Sequence, residues 1–338
     1  MANKLDLMKK TMQQVYGTYK PGWQPKPFEE NKSRYLWTDA YGVINFLTLY
    51  HETKQEQFLS QATTLIQAVH DTLGRTRDGS RRLGRATDEE PTLGGLRIGK
   101  PKAEGGGMSE DGQYFHYLTK WMLALDTMAR VSGQSKYHRW AVQLAASVHS
   151  AFVSQLSPGQ YRMFWKVSID LTRPLVNSEG GLDPYDGYVT YKLLQKSSQS
   201  EETLKSEIAQ MKAMVDVRYK RYRTHDTLDA GEALWLTHFF PDEPWATYVY
   251  GQAANCVEEL WQSGEFSDKK FRRLAFREFG TTIGVQMHQQ LWTRWQPRVE
   301  TLHHFWANSL YERDADITPV MFCSSLVPGW LSSSYGRH

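Results

Sequence analysis

The chain has 338 residues, enough for one large domain or two ordinary ones. Its 40 basic residues nearly balance 37 acidic ones, so the formal charge of +3 excludes the basic excess of a nucleic-acid-binding protein. No apolar run approaches about eighteen residues and Met1 to Asp6 carry no apolar signal region, so a cytoplasmic protein with no membrane partner is expected.

Two cysteines, Cys256 and Cys323, sit in apolar surroundings and read as reduced core residues. Aromatic residues (12 Trp, 18 Tyr, 14 Phe) exceed what a helical core needs, which leaves some for a binding surface.

In chain order, the 3.6-residue period predicts an opening helix over 3–17 and then a Pro/Gly connector, Lys20 to Pro25. Helices follow at 37–52, 55–73, 112–132, 135–155, 186–196, 201–222, 229–240, 243–262, 268–294 and 299–313. The one strand signal runs from Tyr161 to Val167 and predicts a short hairpin arm or extended loop. A phrase recurs within this series. Gln55, Phe58, Ala62, Leu65, Val69, His70 and Leu73 return 79 positions later as Gln134, Tyr137, Ala141, Leu144, Val148, His149 and Phe152. Both copies place apolar residues on one helical face, and each follows another apolar helix, so the repeating unit is a helical hairpin that must pack on its neighbours. His70 and His149 hold matching positions, which argues for packing.

Links inside a hairpin span two to four residues, whereas links between hairpins are long, at 74–111, 156–185 and around 263–267. Long connections in a compact domain tend to carry function, and alternate helix starts put these on one rim. The first contains Leu93-Gly94-Gly95-Leu96-Arg97-Ile98-Gly99 and Gly105-Gly106-Gly107; such glycine either admits backbone close to a ligand or marks mobility. Its basic run, Arg75 to Arg85, reads as a solvated loop rather than a phosphate groove.

Acid and aromatic recur together where helices begin after long links. The starts are Trp37-Thr38-Asp39, Ser109-Glu110-Asp111-Gly112-Gln113-Tyr114, Asp183-Pro184-Tyr185-Asp186 and His225-Asp226, and a fifth motif, Arg277-Glu278, falls inside the helix expected over 268–294. Any one acid can simply cap its own helix or complement the helix dipole. If the hairpins close into a ring, however, several carboxylates meet at one mouth. One protonated and one ionised carboxyl are what glycosyl transfer requires.

The hairpin repeat with these helix starts resembles the six-hairpin glycosidase superfamily over roughly 30–312. The resemblance implies an (α/α)6 toroid with its active site at the mouth, using Asp or Glu in hydrolases and paired histidines in the N-acylglucosamine 2-epimerases. Five inner helices are convincing, and the sixth has to come from the stretch after Asp314.

The expectation is therefore an all-α, single-domain (α/α)6 toroid over 1–338, with an N-terminal helix and connector over 1–30. Its function is expected to be hydrolysis of a glycosidic bond in a small saccharide. Asp111 is the candidate general acid, and Asp39 and Asp186 are candidates for the base or for hydrogen-bonding the sugar. Trp37, Tyr114, His116, Trp165, Tyr185 and His304 line the cleft, and Arg97 and Lys166 read a negative group. No His-x-x-x-His or Cys-x-x-Cys pattern exists, so no metal and no cofactor are expected. The alternatives are a sugar epimerase using His304 or His288 as acid and base, or a non-catalytic scaffold. Substrate identity and oligomeric state are left open.

Overall fold

A computed structural model describes residues 2–29 and 33–336. Met1 and Glu30, the limits of the expected N-terminal segment, lie outside the described residues. Twelve α-helices occur among the described residues: α1 Ala2–Tyr16, α2 Leu36–Thr53, α3 Glu56–Leu73, α4 Phe115–Ser132, α5 Ser135–Phe152, α6 Asp183–Ser198, α7 Lys205–Arg218, α8 Thr227–Thr237, α9 Pro244–Gln262, α10 Ala275–Gln286, α11 Gln289–Trp306 and α12 Ile317–Leu326. None is long and apolar enough to cross a membrane. Backbone contacts gather the chain into two compact units, Tyr16–Val215 and Met1–Val15 with Asp216–His338.

Within Tyr16–Val215 the helices are of two kinds. Every residue of α2 from Leu36 to Leu49 is buried, and so is every residue of α4 from Leu118 to Ala129. Their partners α3 and α5 bury only one stripe: Phe58, Ala62, Leu65, Val69 and Leu73, matched by Tyr137, Ala141, Leu144, Val148 and Phe152. These are the apolar positions of the repeated phrase. A one-faced stripe makes an outer helix, and an inner helix needs apolar or paired residues all round. The turns between partners are short because Lys54 and Gly133 adopt left-handed backbone and return their N–H groups to Tyr50 and Ala129. His70 and His149 are both buried. His70 Nε2 accepts the indole N–H of Trp121 at 3.1 Å, and burial drives its pKa down to about 3.

The long connections are ordered by three two-stranded pairings. β1 (Lys102–Glu104) runs parallel to β2 (Glu110–Asp111), β3 (Gln113–Tyr114) antiparallel to β6 (Lys166–Val167), and β4 (Val153–Ser157) antiparallel to β5 (Gln160–Met163). The predicted strand signal at 161–167 is thus divided between β5 and β6. The helix expected from 112 begins at Phe115, because β3 keeps the preceding residues extended. At Gly112 any Cβ would lie 3.0 Å from Lys166 Cε, Leu175 Cδ1 and Val167 O, so the close approach requires glycine. The helix expected over 135–155 likewise ends at Phe152, where β4 starts.

In the other unit α8, α10 and α12 are buried along their lengths. The single helix expected over 268–294 is two, α10 and α11, broken at Met287 and His288. The burial pattern changes there from all-round to one-faced, and each helix needs its own packing direction. Glu278 therefore falls in the first turn of α10, as Asp39 does in α2 and Asp183 and Asp186 do in α6. The helix expected over 299–313 is the last part of α11 and ends at Trp306. The irregular stretch after Asp314 contains α12, every residue of which is buried. Both thiols are buried, on α9 and α12; burial raises Cys256 to about 11 and Cys323 further.

Candidate active site

All expected site residues except His304 and the alternative acid/base His288 lie in the Tyr16–Val215 unit, at the starts of α2, α4 and α6 and on the connections before them. At the centre is Asp186 in the first turn of α6, fully buried. Its Oδ1 accepts from Lys120 Nζ at 2.5 Å, and its Oδ2 is hydrogen-bonded to Nδ1 of His116. Burial alone would raise the carboxyl. The Lys120 ammonium and the His116 imidazole outweigh it and hold Asp186 below the usual carboxylate range.

His116 and Lys120 are one helical turn apart on α4, so they present to the same neighbour. Asp183 lies one turn from Asp186 on α6, and its carboxylate, that of Asp186 and a ring nitrogen of His116 lie within 4.8 Å of one another. These donor types could hold a metal. Lys120 already supplies a cation to Asp186, however, and two cations would compete for one carboxylate.

An aromatic wall stands beside this group. Trp37, in the first turn of α2, stacks on His116 at 4.7 Å and 26°. Tyr117 lies 5.2 Å from Trp37 and stacks on Tyr114 at 4.6 Å; Trp165 meets Tyr114 edge-on at 5.0 Å. The hydroxyls of Tyr35 and Tyr117 share a 2.7 Å hydrogen bond. Trp37 is 2 % exposed, and its indole N–H has no hydrogen-bond partner among the described residues. An unmet buried donor costs about 1–3 kcal/mol, which a bound acceptor would recover.

Asp111 is elsewhere. It sits on β2, fully buried, with Oδ2 taking Arg97 Nη1 at 2.6 Å and Arg77 Nη1 at 2.7 Å. Its Oδ1 accepts backbone N–H groups of Gly99 and Lys100 at 3.0 and 3.4 Å. Arg97 also donates to the carbonyls of Thr72 and Arg75, so the arginine expected to read a substrate anion is committed to the loop. Asp39 pairs with Arg34 at 3.2 Å, both buried. Tyr185 is 1 % exposed.

Lys166, opposite Tyr114 in the β3–β6 pair, donates to the carbonyls of Gly107 and Glu110 at 2.8 and 2.9 Å. Desolvation lowers its pKa against the opposing pull of Glu110 and Asp111. The glycine-rich loop is pinned through Gln113, which accepts Leu96 N–H and donates to Gly94 O and Ile169 O. Gly95, at φ +75, leaves no room for a Cβ against Gln113.

In the other unit His304 is exposed on the outward side of α11, away from that helix's buried stripe. His288 packs at 4.5 Å on Tyr250 with Nε2 2.8 Å from Leu234 O, and burial lowers its pKa. Sequence reasoning missed Lys120, Tyr35, Tyr117 and Lys100, and quoted Asp183 in its helix-start motif without giving it a role. The readable signals were the His116–Lys120 spacing of one turn and the Asp183–Asp186 spacing of three.

Neither a scan of protein-family models nor a search of curated proteins found a match for this chain. Solved structures do match. A family 76 glycoside hydrolase from a bovine Bacteroides thetaiotaomicron strain is 12% identical, with 97% of this chain and 76% of that chain covered at a TM-score of 0.61. A cellobiose 2-epimerase from Spirochaeta thermophila is 10% identical, with 98% of each covered at 0.58. An inactive α-1,6-mannanase variant from a Salegentibacter species, with two adjacent aspartates replaced and in complex with α-1,6-mannotetrose, is 11% identical, covering 96% and 98% at 0.59. The fold is thus all-α and of the (α/α)6 toroid kind.

Proposed function

We propose that the chain is a carbohydrate-active enzyme whose proton-transfer group is His116. The observation that carries this reading is the Lys120–Asp186–His116 group set against Trp37. A carboxylate at Nδ1 fixes the imidazole's tautomer and orientation and stabilises its protonated form, which assigns proton exchange to Nε2. Asp186 has no exposed surface, whereas the His116 side chain is 15 % exposed, so the histidine is the member that meets a substrate. The Trp37 indole N–H would take a sugar hydroxyl, and Tyr114 and Tyr117 offer flat faces to a ring.

Proton transfer by a histidine held on a carboxylate suits isomerisation or epimerisation of a sugar, and the fold's likeness to a cellobiose 2-epimerase is consistent with that. Hydrolysis is the second reading, favoured by Asp183 and Asp186, whose carboxylates lie within 4.8 Å of one another. This chain has no two adjacent aspartates of the kind replaced in the mannanase variant.

The test is a panel of mono- and disaccharides incubated in D2O and read by mass spectrometry. Epimerisation or isomerisation gives a product with carbon-bound deuterium and otherwise unchanged composition, whereas hydrolysis adds one water. His116→Gln is expected to lower kcat about 10²–10⁴-fold. Full turnover by that variant would remove His116 from the chemistry.

A further inference from the structure

We infer that the substrate carries an anionic group, a carboxylate or a phosphate, bound between Lys100 and Lys166; this rests on the saccharide reading of the same site. The two lysines line one cleft together with Tyr35, Tyr114, Tyr117 and Trp165, and no acidic side chain shares that lining. The Lys100 ammonium rests on the face of Tyr35 at 4.5 Å and has no carboxylate partner among the described residues. Lys166 is 1 % exposed and held by two neutral carbonyls, which use two of the ammonium's three donors. A buried ammonium fixed in this way by the carbonyls of Gly107 and Glu110 is aimed before any ligand arrives.

The surrounding charges leave a cationic surplus. Asp111 is shared by Arg77 and Arg97, Glu104 is paired with Arg173 at 2.9 Å, and Glu110 accepts the Gly107 N–H. Five cations therefore face three carboxylates, and a monoanion or dianion in the cleft reduces the excess.

Size agrees with a substituent rather than a ring. The cleft holds ≈ 40 Å³, and since a water needs about 10–15 Å³ on this measure, the space fits one carboxylate or phosphate displacing a few waters. The rest of the sugar has a path. Tyr114 and Tyr117 lead from the cleft to His116, their rings 6.1 and 6.3 Å from the imidazole. The anion would thus anchor one end of the substrate while the reacting carbon lies at the other, remote binding that orients the chemistry.

Calorimetric titration of the full chain with glucuronate, glucose 6-phosphate, inorganic phosphate and glucose tests this without requiring turnover. At least one anionic sugar is expected to bind about tenfold or more tightly than glucose, and that advantage to disappear in Lys100→Gln and to shrink with added salt. Which of glucuronate and glucose 6-phosphate binds identifies the anion, and binding of inorganic phosphate with the same dependence on Lys100 supports the phosphate. Glucose binding as tightly as both anionic sugars, no binding of either, or an unchanged advantage in Lys100→Gln would overturn the inference. Anion binding that persists while His116→Gln stays fully active would instead sink the assignment of His116 and leave the anion site standing.

Discussion

Asp111 shows how a residue can be conspicuous in sequence for one reason and placed in structure for another. Its sequence setting, between Glu110 and Gly112 ahead of an aromatic helix start, suggested a proton donor. Its oxygens are instead filled by two guanidinium groups and two backbone N–H groups. Those same guanidinium groups also hold the carbonyls of Thr72, Arg75, Lys100 and Pro101, so Asp111 is the knot of the 74–111 loop. Asp111→Asn is expected to raise KM several-fold through displaced loop residues while kcat changes little. A fall in kcat of about 10²-fold or more at unchanged KM would restore the acid role. Ion pairing of this kind depends on which loop residues fold back onto the acid, and no local spacing encodes that. By contrast His116 with Lys120, and Asp183 with Asp186, are paired by one-turn spacings on two helices, so each pair was within reach of periodicity while the meeting of the two pairs was not.

At the scale of elements, the repeated phrase was legible because an outer helix advertises its single buried stripe. Inner helices are harder to read. In α10 nearly every residue is buried, so no period separates it from α11, and the boundary at His288 was lost inside one predicted helix. Glycine carried the missing information. A Cβ on Gly231 of α8 would lie 2.4 Å from the backbone of Gly280 on α10, and one on Gly284 would lie 2.1 Å from Gly231 O. These two helices pack backbone to backbone, as small residues permit. Gly231→Val is expected to lower stability by about 1–3 kcal/mol or more, read as the midpoint of urea unfolding. A neutral result would show that α8 and α10 can part without cost. Strand pairs β3–β6 and β1–β2, two or three residues long, fall below what any alternation signal can reveal, yet they set Tyr114 against Lys166.

For the molecule as a whole, buried titratable groups dictate how it responds to acid. Burial holds His303 at about 4 and His70 at about 3, each below the 6.5 of an open imidazole. The unfolded chain therefore takes up those protons first as pH falls. The stability these histidines contribute is complete above 6.5 and is lost on descending through 4 and then 3. Asp186 also has a lowered folded value, so its contribution is present above the open-chain 3.8 and is lost only below it. Acid unfolding is expected in two stages, the first between pH 6.5 and 4, followed by denaturant midpoints at intervals of half a unit. Stability that stays level from pH 7 to 4 would contradict the burial of His303, whose Nε2 lies 2.5 Å from Ser325 Oγ.

The two cysteines close off one kind of chemistry and open another. With both sulfurs sealed in the interior and their ionisation suppressed, maleimides and disulfide reagents should find little to attack on the native fold. A cysteine placed at Met108, 72 % exposed at the edge of the cleft, would then be the sole handle. A fluorophore hung there could watch sugars arrive in real time, before anyone knows which sugar the molecule was made for.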